Sequence, residues 1–143
     1  MTYLLDVNVL IAILDPDHVF HRVALGWFDE VGHRAWATSP AVQNGVVRIV
    51  GSAKYQSLPF GCAEVADLLA NWVKAVEHQF WPDDISLLDS RIIDTIRLSS
   101  SDRITDTYLL ALAVNKGGML ATLDRRLSPD AVHGGREALH VIR

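Results

Sequence analysis

Met1-Thr-Tyr-Leu-Leu-Asp-Val-Asn-Val-Leu10 is the stretch on which the reading of the whole chain turns. Tyr3-Leu4-Leu5 is a short apolar run that suits a strand buried on both faces of a parallel sheet. It stops at Asp6, a carboxylate that an apolar sheet interior does not accommodate without compensation. Val7 to Leu14 then opens a second apolar segment, read as helical. An acid at the carboxyl end of a central strand lies where open α/β sheets bind ligands. The plainer reading is an Asp that caps the helix after it. What favours the functional reading is a second apolar strand ending the same way, Met119-Leu-Ala-Thr-Leu-Asp124.

Between these two strands the periodicity alternates. Asp15-Pro16-Asp17 breaks the first apolar segment. Phe20, Val23, Ala24, Trp27, Phe28 and Val31 then recur at helical spacing from His18 onward. Ala35 to Thr38 reads as a strand, and Ser39-Pro40 opens a helix that runs to Gly51. Gly45 in its middle costs about 1 kcal/mol against Ala, which a close approach would explain. Cys62 to Val76 reads as a further amphipathic helix and Phe80-Trp81 as a strand. Asp89 to Leu98 reads as a helix with Ile92, Ile93 and Ile96 inward. Thr105-Asp106-Thr107 opens a strongly apolar helix that closes at Gly117-Gly118, and Leu139 to Ile142 is a last strand. The expectation is a three-layer α/β domain with a mainly parallel central sheet, occupying residues 1–143 as one unit.

Composition narrows the function classes. Half of the residues are hydrophobic and 21% are charged, as in an ordinary globular chain. No apolar run is long enough to cross a bilayer, and the first residues lack the zones of a signal peptide, so a cytoplasmic location with no membrane partner is expected. Cys62 is the only cysteine, which excludes an intrachain disulfide and a cysteine zinc cluster. A net charge of −4 does not advertise nucleic-acid binding, but a local basic patch and bound cations decide that question.

If both Asp-terminated strands belong to one parallel sheet, Asp6 and Asp124 enter one cleft. Asp106, in the first turn of the helix before the second strand, then lies over it. A helix N-terminus favours an ionised carboxylate, which is also the local reason to find one there. Three converging carboxylates repel one another unless a cation joins them, and oxygen donors suit Mg²⁺ or Mn²⁺. Such ions promote in-line displacement at phosphorus. His18 and His21 lack a matching ligand set and read as surface side chains. Trp27 and Trp72 fall on apolar helical faces and read as core.

Leu4-Leu5-Asp6-Val7-Asn8-Val9-Leu10, Thr105-Asp106-Thr107-Tyr108-Leu109-Leu110-Ala111-Leu112-Ala113 and Ala121-Thr122-Leu123-Asp124 resemble the three diagnostic blocks of PIN-domain ribonucleases, in the right order and spacing. Within them the chain is most similar to VapC, the toxin of bacterial type II toxin–antitoxin modules. That resemblance implies an α/β/α fold, RNA cleavage with Mg²⁺ or Mn²⁺, a VapB-type antitoxin that blocks the site, and a homodimer. It makes Asp6, Asp106 and Asp124 the metal-binding catalytic acids. Thr122 becomes the small polar residue that orients a ligand or water, and Asn8 a supporting residue beside Asp6.

One feature departs from the pattern. The helix after the second strand usually carries a fourth acid, whereas here it reads Ser39-Pro-Ala-Val-Gln-Asn-Gly-Val-Val-Arg48. Asn44, or else Gln43, would have to substitute, and an amide oxygen ligates without bringing charge. Positive charge for phosphate contacts would come from Arg48, Arg103, Arg125 and Arg126. A haloacid-dehalogenase-type phosphatase also starts with a strand ending in Asp, but it needs a second Asp two residues on, where this chain has Asn8. The remaining alternative is a PIN-fold RNA-binding or scaffolding module that does not cleave.

Overall fold

The computed structural model describes residues 1–143. β1 (Tyr3–Leu5) leads into α1 (Val7–Leu14) and α2 (His21–Glu30), then β2 (Trp36–Thr38), α3 (Pro40–Val50), α4 (Cys62–Trp72) and β3 (His78–Phe80). After a long irregular stretch come α5 (Ile104–Asn115), β4 (Met119–Thr122), the short α6 (Gly135–Ala138) and β5 (Leu139–Val141). All the strands are parallel, in the order β3-β2-β1-β4-β5. Helices α1 to α4 pack on one another, and α5 packs on α6, β1 and β4, giving the three layers α/β/α.

The strand order reverses at β1. From β1 the chain winds outward through β2 to β3, then returns through α5 to place β4 on β1's other side. The crevice at such a reversal, outside the carboxyl ends of the strands, is where open α/β sheets take ligands. Leu4 pairs with Leu120 and Leu5 with Ala121, which sets Asp6 level with Thr122 at the mouth of that crevice. Leu4, Leu5 and Leu120 are wholly buried, as expected for strands covered on both faces. Helix α5 buries Leu109 through Ala113 without interruption, because it is enclosed on every side rather than amphipathic.

Several sequence expectations are corrected. Asp89–Leu98 is not a helix. The Asp89 carboxylate accepts from the Arg91 backbone and guanidinium, the Asp94 amide donates to the Ala131 carbonyl, and Ile93 forms a bridge with Val132. These bonds draw the backbone away from a helical ladder. Ile93 is buried, but Ile96 is 93% exposed. Helix α4 ends at Trp72, leaving Val76 outside and exposed. Helix α2 begins at His21 rather than His18, because Asp17 N–H donates to the Asp15 carboxylate and Phe20 N–H to His18 Nδ1. β4 ends at Thr122, so Asp124 stands in the turn beyond it. Trp27 and Trp72 pack as expected: Trp27 lies edge-on to Tyr3 at 5.2 Å, and Trp72 meets Phe28 at 5.5 Å.

Candidate active site

Asp6 does two jobs at once. It is the residue before α1, and its Oδ1 accepts from Val7 N–H at 2.7 Å, the capping role that the plainer reading assigned to it. Its Oδ2 accepts from the Thr122 hydroxyl at 2.7 Å. Thr122 Oγ1 also accepts from Asp124 N–H at 3.1 Å and from Asn8 Nδ2 at 3.4 Å. One hydroxyl thereby spends its single proton and both lone pairs in joining Asp6, Asn8 and Asp124. Asn8 Oδ1 in turn accepts from Leu123 N–H at 3.2 Å, fastening the first turn of α1 to the turn after β4.

Asp6 is only 4% exposed, and its pKa is raised to about 6. Burial is the main cause. The Thr122 hydrogen bond opposes it, repulsion from Asp106 adds to it, and smaller opposed contributions come from Val7 N–H and Asp124. Asp106, half-buried in the first turn of α5, is also raised, by burial and then by the charge of Asp124, with Arg103 pulling the other way. The three carboxylates therefore lie in one another's fields. Asp124 Oδ2 accepts from Arg103 at 2.7 Å, and its Oδ1 accepts from Arg126 N–H at 2.9 Å.

An all-oxygen, mutually repelling donor set matches the chemistry of a hard divalent cation. Its side chains are not arrayed as a closed shell: no three acidic, His or Cys side chains form a ready metal-binding group. Asp6 is engaged by Val7 and Thr122, and Asp124 by Arg103. Asp106 is the acid whose carboxylate accepts no hydrogen bond, and it lines a small cavity with Arg103 and Arg126.

A family model for the PIN domain matches residues 3–129, a span that includes all three acids. The chain belongs to the PIN-domain family. Among curated relatives it is 45% identical to "Ribonuclease VapC44" of Mycobacterium tuberculosis over 94% of both chains. It is also 40% identical to "Ribonuclease VapC39" of the same species, over 97% of this chain and all of the relative. "Ribonuclease VapC38" is 33% identical over 85% of this chain and 84% of its own length.

The PIN domain described here carries the two candidate amides, Gln43 and Asn44, on α3. Gln43 Nε2 donates to Thr38 Oγ1 at 3.0 Å, and Thr38 also bonds His78 Nε2 at 2.7 Å. Gln43 is thus tied to the end of β2 and makes no hydrogen bond to the acids. Asn44 is exposed and unpaired, and the two amides share a cavity of about 280 Å³ with Leu69 and Val73 of the α3–α4 side. Gly45 faces Val7: a Cβ there would stand 2.8 Å from Val7 Cγ2. Of the four arginines, Arg103 is committed to Asp124, while Arg125 and Arg126 border the same cavity as Asp124. Arg48 is exposed on α3 and lines neither cavity beside Asp106 and Asp124. Sequence reading missed the Thr38–Gln43–His78 chain. Its only signal was a polar residue ending a buried strand, a sign shared with many caps.

Proposed function

We propose that this PIN domain, as a single unit over residues 1–143, is a metal-dependent endoribonuclease and the toxin of a VapBC-type pair. The observation that carries the reading is Asp6, a buried carboxyl at the sheet's reversal point whose proton affinity is raised in part by Asp106 and Asp124. Asp6, Asp106 and Asp124 would hold Mg²⁺ or Mn²⁺, with an uncharged amide, Asn44 or Gln43, in place of a fourth acid. When bound, such an ion supplies Lewis acidity for displacement at an RNA phosphodiester. The chain's own groups orient the site: Thr122 and Asn8 fix Asp6 and the turn bearing Asp124, and Arg125 and Arg126 offer charge to the RNA backbone. A VapB-type antitoxin, a homodimer and a cytoplasmic setting complete the reading, supported by similarity to VapC ribonucleases across nearly the full length of both chains.

The test is cleavage of a pool of structured RNAs by wild type and Asp6→Asn, with Mg²⁺, with Mn²⁺ and with EDTA. Cutting that needs both the metal and Asp6 is the expected result. Cutting that survives EDTA or the substitution would overturn the metal-carboxylate chemistry. RNA bound but left intact in every condition would point instead to a non-cleaving RNA-binding module.

A further inference from the structure

A cavity of about 710 Å³ opens directly beside Asp124 and Asn8. Its size falls in the range of sites that hold a small organic ligand, roughly 300–1,000 Å³. Its lining combines two chemistries. His18, Phe20 and Val23 contribute aromatic and aliphatic surface. Arg125, Arg126 and Arg143 contribute positive charge, with Asp124 as the only acid of the lining. In a chain of net charge −4 this is a local reversal of sign.

The aromatic part of the lining is exposed yet held in place. Phe20 is 45% and Val23 39% exposed. The His18 ring lies 6.0 Å from the Phe20 ring at 40°. Phe20 N–H donates to His18 Nδ1 at 3.1 Å, which leaves the proton of the neutral imidazole on Nε2 as a donor. The turn carrying both rings is anchored below by Asp15, a wholly buried carboxylate that accepts from Tyr55, Ser57 and Asp17 N–H. An apolar platform and arginines in one cavity suit a polyanion that also has flat apolar faces. Single-stranded RNA has both, its splayed bases stacking on aromatic side chains while its phosphates meet arginine.

We propose that this cavity is a nucleobase subsite: Phe20, backed by His18, stacks an unpaired base next to the bond to be cut, and Arg125, Arg126 and Arg143 hold the phosphates that flank it. The assignment rests on the ribonuclease reading of the neighbouring acids. It makes Phe20 a selectivity device for unpaired RNA, because a base inside a helix cannot reach a ring on the wall of a cavity.

The test is direct binding in EDTA, where cleavage plays no part, of a short fluorescein-labelled single-stranded RNA of mixed sequence and of its blunt duplex. Phe20→Ala is expected to weaken single-strand binding about 5- to 100-fold, in line with the loss of one stacked base, and to leave duplex binding nearly unchanged. Phe20→Trp should restore it. Arg143→Ala should weaken both and flatten the salt dependence. Thermal melts of each variant check the fold. Wild-type single-strand affinity in Phe20→Ala, or no measurable binding by wild type, overturns the subsite and leaves the face as one for a peptide. The two readings fail separately. A protein that never cuts RNA but shows the Phe20 effect loses the nuclease assignment alone, and one that cuts equally well without Phe20 loses the subsite alone.

Discussion

Asp6 carries opposed demands. It caps α1, accepts from Thr122 and stands almost wholly buried within the fields of two other acids. Because its pKa is raised from 3.8 to about 6, the native state holds this proton more tightly than the unfolded chain does. The metal-free protein should therefore lose stability as pH rises from about 4 through 6, by on the order of 2–3 kcal/mol. Urea titrations in EDTA across that range check the sign, and Asp6→Asn should flatten the profile. Mn²⁺ should raise the wild-type melting temperature by mass action but leave Asp6→Asn unmoved, and that variant should keep its circular dichroism while losing cleavage. A melting temperature that responds to Mn²⁺ equally in both proteins would remove Asp6 from the ligand set.

Two contacts between elements decide whether the acids stay in place. Asn8 joins α1 to the turn after β4 through Thr122 and Leu123. Asn8→Ala leaves Leu123 N–H without its partner, at a cost of about 1–3 kcal/mol, and should lower cleavage further than a comparable surface loss of stability would. The other contact is Gly45 against Val7. Alanine in mid-helix is favoured by about 1 kcal/mol, yet Gly45→Ala should destabilise, since its Cβ would meet the stiff, β-branched Val7 at 2.8 Å. Val7→Ala in the same chain should recover much of that loss, a coupling that a double-mutant cycle measures. The sequence signalled that Gly45 needed an explanation but not which residue approached it. Spacing along one helix says nothing of what a neighbouring helix presents.

At the scale of the molecule, the parallel sheet was legible because β1, β2 and β4 are short apolar runs between helical periods, and Asp6 and Asp124 follow two of them. The Asp89–Leu98 segment was misread because its isoleucines have helical spacing while its Asp side chains bind the backbone locally, and only the partner at Val132 decides between the two. The cavity beside Asp124 was invisible for a related reason: its wall and rim come from segments that are distant in sequence. The Asp15 anchor is likewise long-range. Burial raises its pKa, but hydrogen bonds from Tyr55 and Ser57 outweigh that and hold it below the ordinary carboxylate value. Its contribution is complete above pH about 4 and fades as pH falls through the lowered value. Tyr55→Phe should cost roughly 1.5–3 kcal/mol at pH 7, and denaturant midpoints should show the gap narrowing in acid. A gap that widens in acid would mean Asp15 is not the acceptor that matters.

The pairing of β1 with β4 also governs timing. Asp6 and Thr122 are 116 residues apart, and Asp124 lies beyond even that. During synthesis, β1 can meet β2 early, but the central strand keeps an open edge until α5 has folded and β4 has emerged. Closing so distant a contact is slow and comes late. A ribosome-bound chain short of β4 holds Asp6 with no Thr122 beside it and no Asp124 at all, so the cluster of acids cannot assemble until β4 and the turn after it have been translated.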